Sequence, residues 1–150
     1  MRTILAVFLL AATAACATTG VGPQTAPAAG SSATGASSAR AAVDEFFAAI
    51  RAGDIQATSA VWGSRQGPAR EWMQRDLMET RIIVMQCYLT HEAVRVVSQP
   101  RQKTDSVFYK VELTRGQRGE QSDVITVAGP GLRWYVASAT FPQVAGCVLD

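Results

Sequence analysis

Apolar residues near the start of the charged part of the chain recur at helical spacing. Four of them stand at positions i, i+3, i+4 and i+7 and share one face of a helix predicted over residues 39–52: Val43, Phe46, Phe47 and Ile50. Ser38 can cap the start of this helix, because its hydroxyl can accept a backbone hydrogen bond. Gly53, with Arg51 before it, marks the end. The pattern predicts an amphipathic helix that packs on a core.

A second, shorter helix is predicted directly after the first. Asp54 can cap its start and Gly63 ends it. The residues that face one way along it are Ile55, Thr58, Val61 and Trp62. A Ser/Gly/Pro stretch over residues 64–68 then separates it from a third helical region, which reaches about Tyr88.

The third helical region contains a predicted break. Asp76 and Glu79 have the spacing of a capping box, so the better helix is expected to begin at Leu77. Acidic and basic residues alternate along the region, which is typical of a solvated helix face. The expected i,i+4 ion pairs are Glu71–Arg75 and Arg75–Glu79.

From residue 93 onward the hydrophobic period changes from helical spacing to two. Apolar and polar side chains alternate through a predicted half-buried strand, whose apolar members are Val107, Tyr109, Val111 and Leu113. Three other strands are predicted over residues 93–98, 123–128 and 132–141, the last with Leu132, Trp134 and Val136 on one face. Helices followed by an antiparallel meander predict an α+β domain, with the N-terminal helices packed on one face of a four-stranded antiparallel sheet.

The first 15 residues predict export from the cytoplasm. Arg2 precedes an apolar run that is too short to span the ~30 Å hydrocarbon layer of a membrane, which is typical of a secretory signal. Thr13-Ala14-Ala15 before Cys16 resembles a bacterial lipobox, although Thr13 stands where an aliphatic residue is usual. The resemblance implies cleavage before Cys16 and acylation of its thiol, with palmitate among the acyl chains. Ala12-Thr13-Ala14 also suits an ordinary signal peptidase, which would leave Cys16 as a free thiol.

Residues 16–39 are expected to form a lipidated, disordered tether. Residues 17–39 carry no charge and contain Val21 as their one large aliphatic residue, so they cannot bury enough surface to offset chain entropy. Two or three acyl chains on one cysteine would anchor the protein stably in a membrane. Ala17 is not the Asp that retains some lipoproteins at the inner membrane. The predicted location is therefore the bacterial cell envelope, on the periplasmic side of the outer membrane.

Cys87 and Cys147 remain after Cys16 is set aside. An oxidising compartment favours a disulfide between them, which would close a loop of about 60 residues and hold the C-terminal tail. The alternative is a buried free Cys87 and a reactive Cys147. Two distant cysteines and one histidine lack the ligand spacing of a zinc site, so no metal is predicted. The chain also contains no glycine-rich phosphate loop, GxSxG elbow or HExxH motif, and no cofactor is expected.

The charge of the mature protein argues against nucleic-acid binding. Without Arg2, 13 of the 14 basic side chains remain, against 12 acidic ones. The basic residues are interleaved with acids instead of being clustered on one face, as nucleic-acid binders require. Expected partners are therefore the membrane, through the acyl anchor, and a protein partner or a second copy of the chain.

Two segments of the sequence resemble nuclear transport factor 2-like domains. Residues 42–55 followed by 59–63 are similar to the opening helices of that superfamily, including the Gly-Asp step between them. Residues 131–136, GlyLeuArgTrpTyrVal, are similar to its last strand. The similarity covers nearly all of residues 40–150 and implies one domain with a cystatin-like cone, in which three helices close over a strongly curved sheet. Members include ketosteroid isomerases, SnoaL-like cyclases and dehydratases, and many exported domains without an assigned activity. A lipid-anchored member with a tether resembles this last group most.

The resemblance suggests candidate site residues, each with a simpler structural explanation. Asp76 can serve as an isomerase-type carboxylate in a pocket, or it can belong to the capping box. His91 can act as an acid/base group, but its place between the third helix and the first strand predicts an exposed turn. Tyr109 and Trp134 can line an apolar pocket, and aromatic residues at strand spacing are more often core.

Three hypotheses for the function follow. The favoured one is a lipid-anchored cell-envelope protein whose domain binds a protein partner or a small apolar ligand without catalysis. The second is a small-molecule isomerase or dehydratase, which requires Asp76 or His91 to point into an enclosed cavity. The third is a structural homodimer, which requires a contiguous exposed apolar patch on the strands.

Overall fold

The computed structural model describes residues 34–98, 100–142 and 147. The predicted signal segment, Cys16 and residues 17–33 of the predicted tether lie outside these residues. Within them, helices come first and an antiparallel sheet follows, so the domain is α+β, as the change of hydrophobic period predicts.

The first two helices begin and end where their capping residues predict. Helix α1 is Ala39–Ala52 and helix α2 is Ile55–Val61. The Ser38 hydroxyl accepts a hydrogen bond from the backbone N–H of Ala41 at 3.1 Å, and the Asp54 carboxylate accepts one from the N–H of Ala57 at 2.9 Å. Gly53 ends α1 in the left-handed conformation, with φ of 67°. Each cap satisfies a backbone group that the helix itself leaves unpaired.

The Ser/Gly/Pro stretch after α2 forms a small hairpin of two strands, β1 (Gly63–Ser64) and β2 (Gly67–Pro68). The third helical region is broken, as predicted, into α3 (Ala69–Trp72) and α4 (Arg75–Tyr88).

The predicted start of α4 at Leu77 and its capping box are wrong. Gln74 is the N-cap residue, and Asp76 lies inside the first turn instead of before it. Glu79 accepts from Arg75 at 2.7 Å, as the i,i+4 pattern predicts, and this pairing replaces the box. Glu71 lies in α3 and not in α4, so it does not share a continuous helix with Arg75.

The main sheet has five antiparallel strands and not the four that were predicted. They are β3 (Ala93–Val96), β4 (Arg101–Lys103), β5 (Ser106–Arg115), β6 (Arg118–Ala128) and β7 (Trp134–Ala139). Their order is β3-β5-β6-β7. Strands β3 and β4 both pair with the same edge of β5: β3 pairs with residues 111–114 and β4 with residues 106–108. Strand β4 carries three exposed polar residues, so it has no hydrophobic alternation that could have revealed it.

Helix α1 packs on β6 and β7 over one face of the sheet, called here the inner face. The predicted apolar side of β5 faces this core and is buried along its length. The fully or nearly fully buried core includes Val43, Phe46, Phe47, Ile50, Ile82, Val111, Leu113, Val124 and Val136. Tight packing of these side chains fills the space between the helices and the inner face.

Strand β7 begins two residues later than predicted. Pro130–Leu132 forms a single 3-10 turn in which Gly131 has φ of 65° and Leu132 has φ of 58°. The Leu132 side chain is 88% exposed, so it does not share the buried face of Val136. Gly129 and Pro130 favour a tight turn here, and this turn leaves Leu132 at the surface although its side chain is apolar.

The chain enters the folded part before the predicted boundary at residue 40. Ala36 and Trp134 exchange two backbone hydrogen bonds of 2.9 Å, and the Gly35 N–H donates to the Ala60 carbonyl at 2.8 Å. Arg133 donates through Nε to the Thr34 carbonyl at 3.0 Å. Residues 34–39, which composition assigned to the tether, therefore belong to the domain. Their attachment depends on backbone pairing, which small residues permit and composition does not show.

Gly35 supports this attachment by its lack of a side chain. Its φ is 69°, and a Cβ added to it would lie 2.7 Å from two atoms of the Tyr135 ring. The ring cannot move away, because Tyr135 is 2% exposed and a Cβ on Gly129 would meet its other edge, also at 2.7 Å. Two glycine backbones therefore hold the Tyr135 ring between them.

We expect Gly35→Ala to lower the free energy of unfolding by about 2–4 kcal/mol, because it adds a steric clash to the cost of the left-handed backbone. Gly53→Ala is the matched control: its φ is 67°, and an added Cβ meets nothing within 4 Å. That variant should cost only the left-handed backbone penalty, about 1 kcal/mol. Urea unfolding of the oxidised protein measures both, and equal losses would contradict the proposed contact with Tyr135.

Candidate functional site

Asp76 does not lie in a pocket. Its side chain is exposed in the first turn of α4, and its backbone carbonyl accepts a hydrogen bond from the Thr80 hydroxyl at 2.8 Å. An isomerase-type carboxylate requires burial to raise its pKa and an enclosed substrate. The structure provides neither at Asp76.

His91 is buried, and the expected exposed turn is wrong. The residue is 5% exposed, and its ring meets the Phe47 ring edge to face, with centroids 5.5 Å apart. Its Nδ1 lies 2.8 Å from the Leu89 carbonyl oxygen. Because a carbonyl only accepts hydrogen bonds, Nδ1 carries the proton and Nε2 does not. Nε2 is buried without a hydrogen-bond partner among the described residues.

Burial lowers the pKa of His91 below its ordinary value of 6.5. The hydrogen bond to Leu89 raises this pKa, and the charges of Arg51 and Arg115 lower it further. Arg115 is fixed nearby because its guanidinium donates to the carbonyls of Tyr88 and Thr90 at the end of α4. The imidazole is therefore neutral at pH 7.

The described residues assemble no acid/base pair around His91. Asp76 and His91 lie at opposite ends of α4, which has 14 residues and is therefore about 20 Å long. The neighbouring Glu92 turns to the hairpin between β5 and β6, where its carboxylate accepts from the N–H of Gly116 at 3.1 Å. A histidine that is almost fully buried and has no carboxylate to orient it lacks the geometry of a general base.

Tyr109 and Trp134 both belong to the hydrophobic core. Tyr109 is 7% exposed and stands opposite Val124 on the inner face, and burial raises the pKa of its hydroxyl. Trp134 is half-buried at the start of β7, where its backbone pairs with Ala36. Trp134 thus fills space, whereas Tyr109 fills space and also lines the recess described next.

The outer face of the sheet carries an open recess of about 460 Å³, which we call the outer recess. Phe108 and Ile125, paired across β5 and β6, are its half-buried apolar residues. Lys110 and Asp123 stand opposite each other beside them and form an ion pair of 2.7 Å. Arg101 and Ser138 extend the lining to β4 and β7. An apolar patch bordered by charges can hold an apolar group and orient a polar one.

The outer recess opens beside an interruption of the sheet edge. Strands β3 and β4 pair with separate halves of β5, and Ser98 lies between them. A second recess of about 420 Å³ begins at the same serine and runs to Arg40 at the start of α1. Tyr109 is the one predicted pocket residue in the lining of the outer recess. Phe108 and Ile125 could not be predicted as pocket residues, because their positions alternate with the buried ones and therefore indicate a solvent-facing side of the strand.

The Cys87 and Cys147 sulfur atoms lie 1.99 Å apart, and their Cα atoms are 5.8 Å apart. This Cα distance suits a disulfide. The Tyr88 hydroxyl donates to the Cys147 carbonyl at 3.2 Å, next to the bridge. On the chain-entropy account, closing a loop of this length contributes about 4 kcal/mol to stability.

Among residues 34–98, 100–142 and 147, no group of three or more histidine, cysteine or acidic side chains is arranged to hold a metal ion. In the same ranges, no helix combines the length and the apolar character needed to cross a membrane. No protein-family model, curated protein or solved structure matches the chain.

The environment of His91 predicts a pH-dependent stability. The unfolded chain binds a proton at the ordinary pKa of histidine, whereas the buried imidazole binds it only at a lower pH. Below pH 6.5 the unfolded state therefore holds more protons, and the contribution of His91 to stability falls as pH decreases. This contribution becomes constant only well above pH 6.5, where the unfolded chain is also deprotonated at His91.

The matched variant is His91→Gln, which removes this titration. Urea unfolding at fixed ionic strength measures the free energy of unfolding of both proteins. We expect the value for the wild type minus the value for the variant to decrease as pH falls from 7.5 to 5. Parallel curves over this range would show that His91 is not protected from protonation.

Proposed function

We propose that this chain is a lipid-anchored protein of the bacterial cell envelope whose domain binds a partner without catalysis. The observation that carries the proposal is the pairing of Cys87 with Cys147. The chain has three cysteines, so this pairing leaves Cys16, directly after the apolar leader, as the one available for acylation. A disulfide also fits an exported protein better than a cytoplasmic one. The proposed location is the periplasmic side of the outer membrane.

The proposed fold is a nuclear transport factor 2-like cone. Support comes from the order of the elements, with three main helices (α1, α2 and α4) before an antiparallel sheet, and from α1 packed over the inner face. The Gly53-Asp54 step between α1 and α2 has the capping geometry that the resemblance implies. Phe46 and Phe47 are both fully buried there and occupy space that a ligand pocket would need.

A binding role is favoured over an isomerase or dehydratase by the surroundings of the candidate acid/base residues. Asp76 is exposed, and His91 is enclosed by Phe47 and the Leu89 carbonyl. The outer recess instead offers Phe108 and Ile125 within reach of solvent. We propose it as the site for a small apolar ligand or an apolar segment of a protein partner.

The alternative of a structural dimer has less support. Ion pairs cross the outer face between Arg95 and Glu112 at 2.9 Å and between Lys110 and Asp123 at 2.7 Å. Burying such pairs in a symmetric interface removes them from water, which costs several kcal/mol per ion before any compensation. The half-buried apolar pair in the outer recess, Phe108 and Ile125, is small for a dimer interface.

The first test is the mass of the full-length protein extracted from its native membrane. We expect acyl chains on Cys16 and a mass two hydrogens below that of the reduced form, because of the disulfide. Cys16→Ser should leave an unacylated protein that no longer partitions into the membrane fraction.

The matched control is the double variant Cys87→Ser with Cys147→Ser, which removes two thiols but should remain acylated and membrane-bound. Wild-type protein without acyl chains, or equal partitioning of the wild type and Cys16→Ser, would refute the anchor.

The outer recess can be tested with an apolar fluorescent probe such as anilinonaphthalene sulfonate. Ile125→Glu places a charge among the apolar residues of the outer recess and should weaken probe binding at least tenfold. Ile83→Glu is the control, because Ile83 is also a partly exposed isoleucine, at 43%, but lies on α4 outside the recess. Equal binding by the two variants would refute the recess as an apolar site. A wild-type dimer that Ile125→Glu dissociates in sedimentation would favour the dimer instead.

A further inference from the structure

Leu132 combines an unfavourable backbone with an unpacked side chain. Its φ of 58° is the only positive one at a non-glycine position in the described part of the chain. A leucine in the left-handed region is uncommon and strained, and glycine or asparagine adopts it at lower cost. The side chain gains nothing from packing in return, since it is 88% exposed.

The fold therefore does not account for a leucine at this position. Strained residues persist where function maintains them, so an observed outlier is a reason to look for a role. Pro130 and Gly131, the other residues of the turn, are exposed as well. We call these three residues, Pro130–Leu132, the apolar tip.

The apolar tip lies beside the point where the chain enters the domain from its N-terminal side. Arg133 directly follows the tip, and its guanidinium donates to the carbonyls of Thr34 and Gly35. Trp134 pairs with Ala36 through two backbone hydrogen bonds. The segment that leads back to Cys16 is thus fixed to the domain next to Leu132.

We propose that the apolar tip contacts the lipid surface to which the protein is anchored. The proposal rests on the proposed acylation of Cys16. Seventeen residues, 17–33, separate that cysteine from Thr34. A segment of this length can span at most about 60 Å. The bilayer then lies within reach of the side of the domain that carries Leu132.

A single leucine is sufficient for such a contact when the protein is already anchored. The anchor keeps the tip at a high effective concentration near the lipid, so the contact has only to bias the orientation of the domain. Transfer of one leucine side chain from water into the apolar layer favours the inserted orientation by roughly tenfold. A specific protein interface buries about 800 Å² on each partner, which is far more than three residues offer. The size of the tip therefore favours a lipid over a protein.

The test uses full-length acylated protein in phosphatidylcholine vesicles, with and without bromine atoms on the lipid acyl chains. Bromine quenches tryptophan only at short range. Leu132→Trp should add fluorescence that the brominated lipid quenches by half or more. Leu77→Trp is the matched control, because Leu77 is a 46% exposed leucine that lies on α4 and not in the tip, and its added fluorescence should not be quenched.

Thermal unfolding and the intact disulfide mass verify that both variants fold. If the protein carries acyl chains and floats with the vesicles but Leu132→Trp is not quenched, or is quenched no more than Leu77→Trp, the tip proposal is wrong while the anchor stands. If the mass shows no acyl chain and the protein does not float, the proposed function fails, and the tip proposal fails with it.

Discussion

The packing of α1 against the inner face of the sheet is the constraint on which the rest of the structure depends. Phe46 and Phe47 are fully buried and meet edge to face, with ring centroids 5.2 Å apart. Phe47 also contacts the His91 ring, so the same helix that closes the core encloses the one histidine of the chain. Aromatic side chains of this size contribute a large part of the burial in a domain of about 110 residues. This core encloses the aromatic residues of α1, and the exposed large apolar side chains lie on α3 and α4, in the turn before β7 and after β7.

Both described ends of the domain are attached to elements that are distant in sequence. At the C-terminal side, Cys147 is bonded to Cys87 in α4. At the N-terminal side, residues 34–36 pair with β7 and are held by Arg133. The second attachment uses only hydrogen bonds and the close contact of Gly35 with Tyr135, yet it determines where the chain enters the fold.

Local chemistry explains why some elements could be predicted from the sequence and others could not. The Ser38 and Asp54 caps and the alternation through β5 depend on neighbours within a few residues, and the structure confirms them. The burial of His91 depends on Phe47, which is 44 positions away, and no short window of sequence contains that contact. Strand β4 exists because β5 offers an unpaired edge, and its own residues carry no strand signal. Phe108 could not be predicted as a recess residue for a related reason, because it stands at one of the alternating positions of β5 that are otherwise polar. Only the pairing of Phe108 with Ile125 across β5 and β6 shows that the two side chains form one patch.

The two proposals together place the outer recess close to the membrane. Ile125 precedes Pro130, the first residue of the apolar tip, by five positions along β6 and the turn. At about 3.3 Å per residue of strand, the recess lies on the order of 15 Å from the tip. If the tip rests on the bilayer, Phe108 and Ile125 lie within about 15 Å of the lipid surface, in the layer of water next to the headgroups. An apolar molecule that leaves or enters the membrane crosses this layer, where exposure to water is most costly to it. A half-buried apolar patch with a charged border is suited to hold such a molecule there, and it requires neither an enclosed cavity nor a catalytic group.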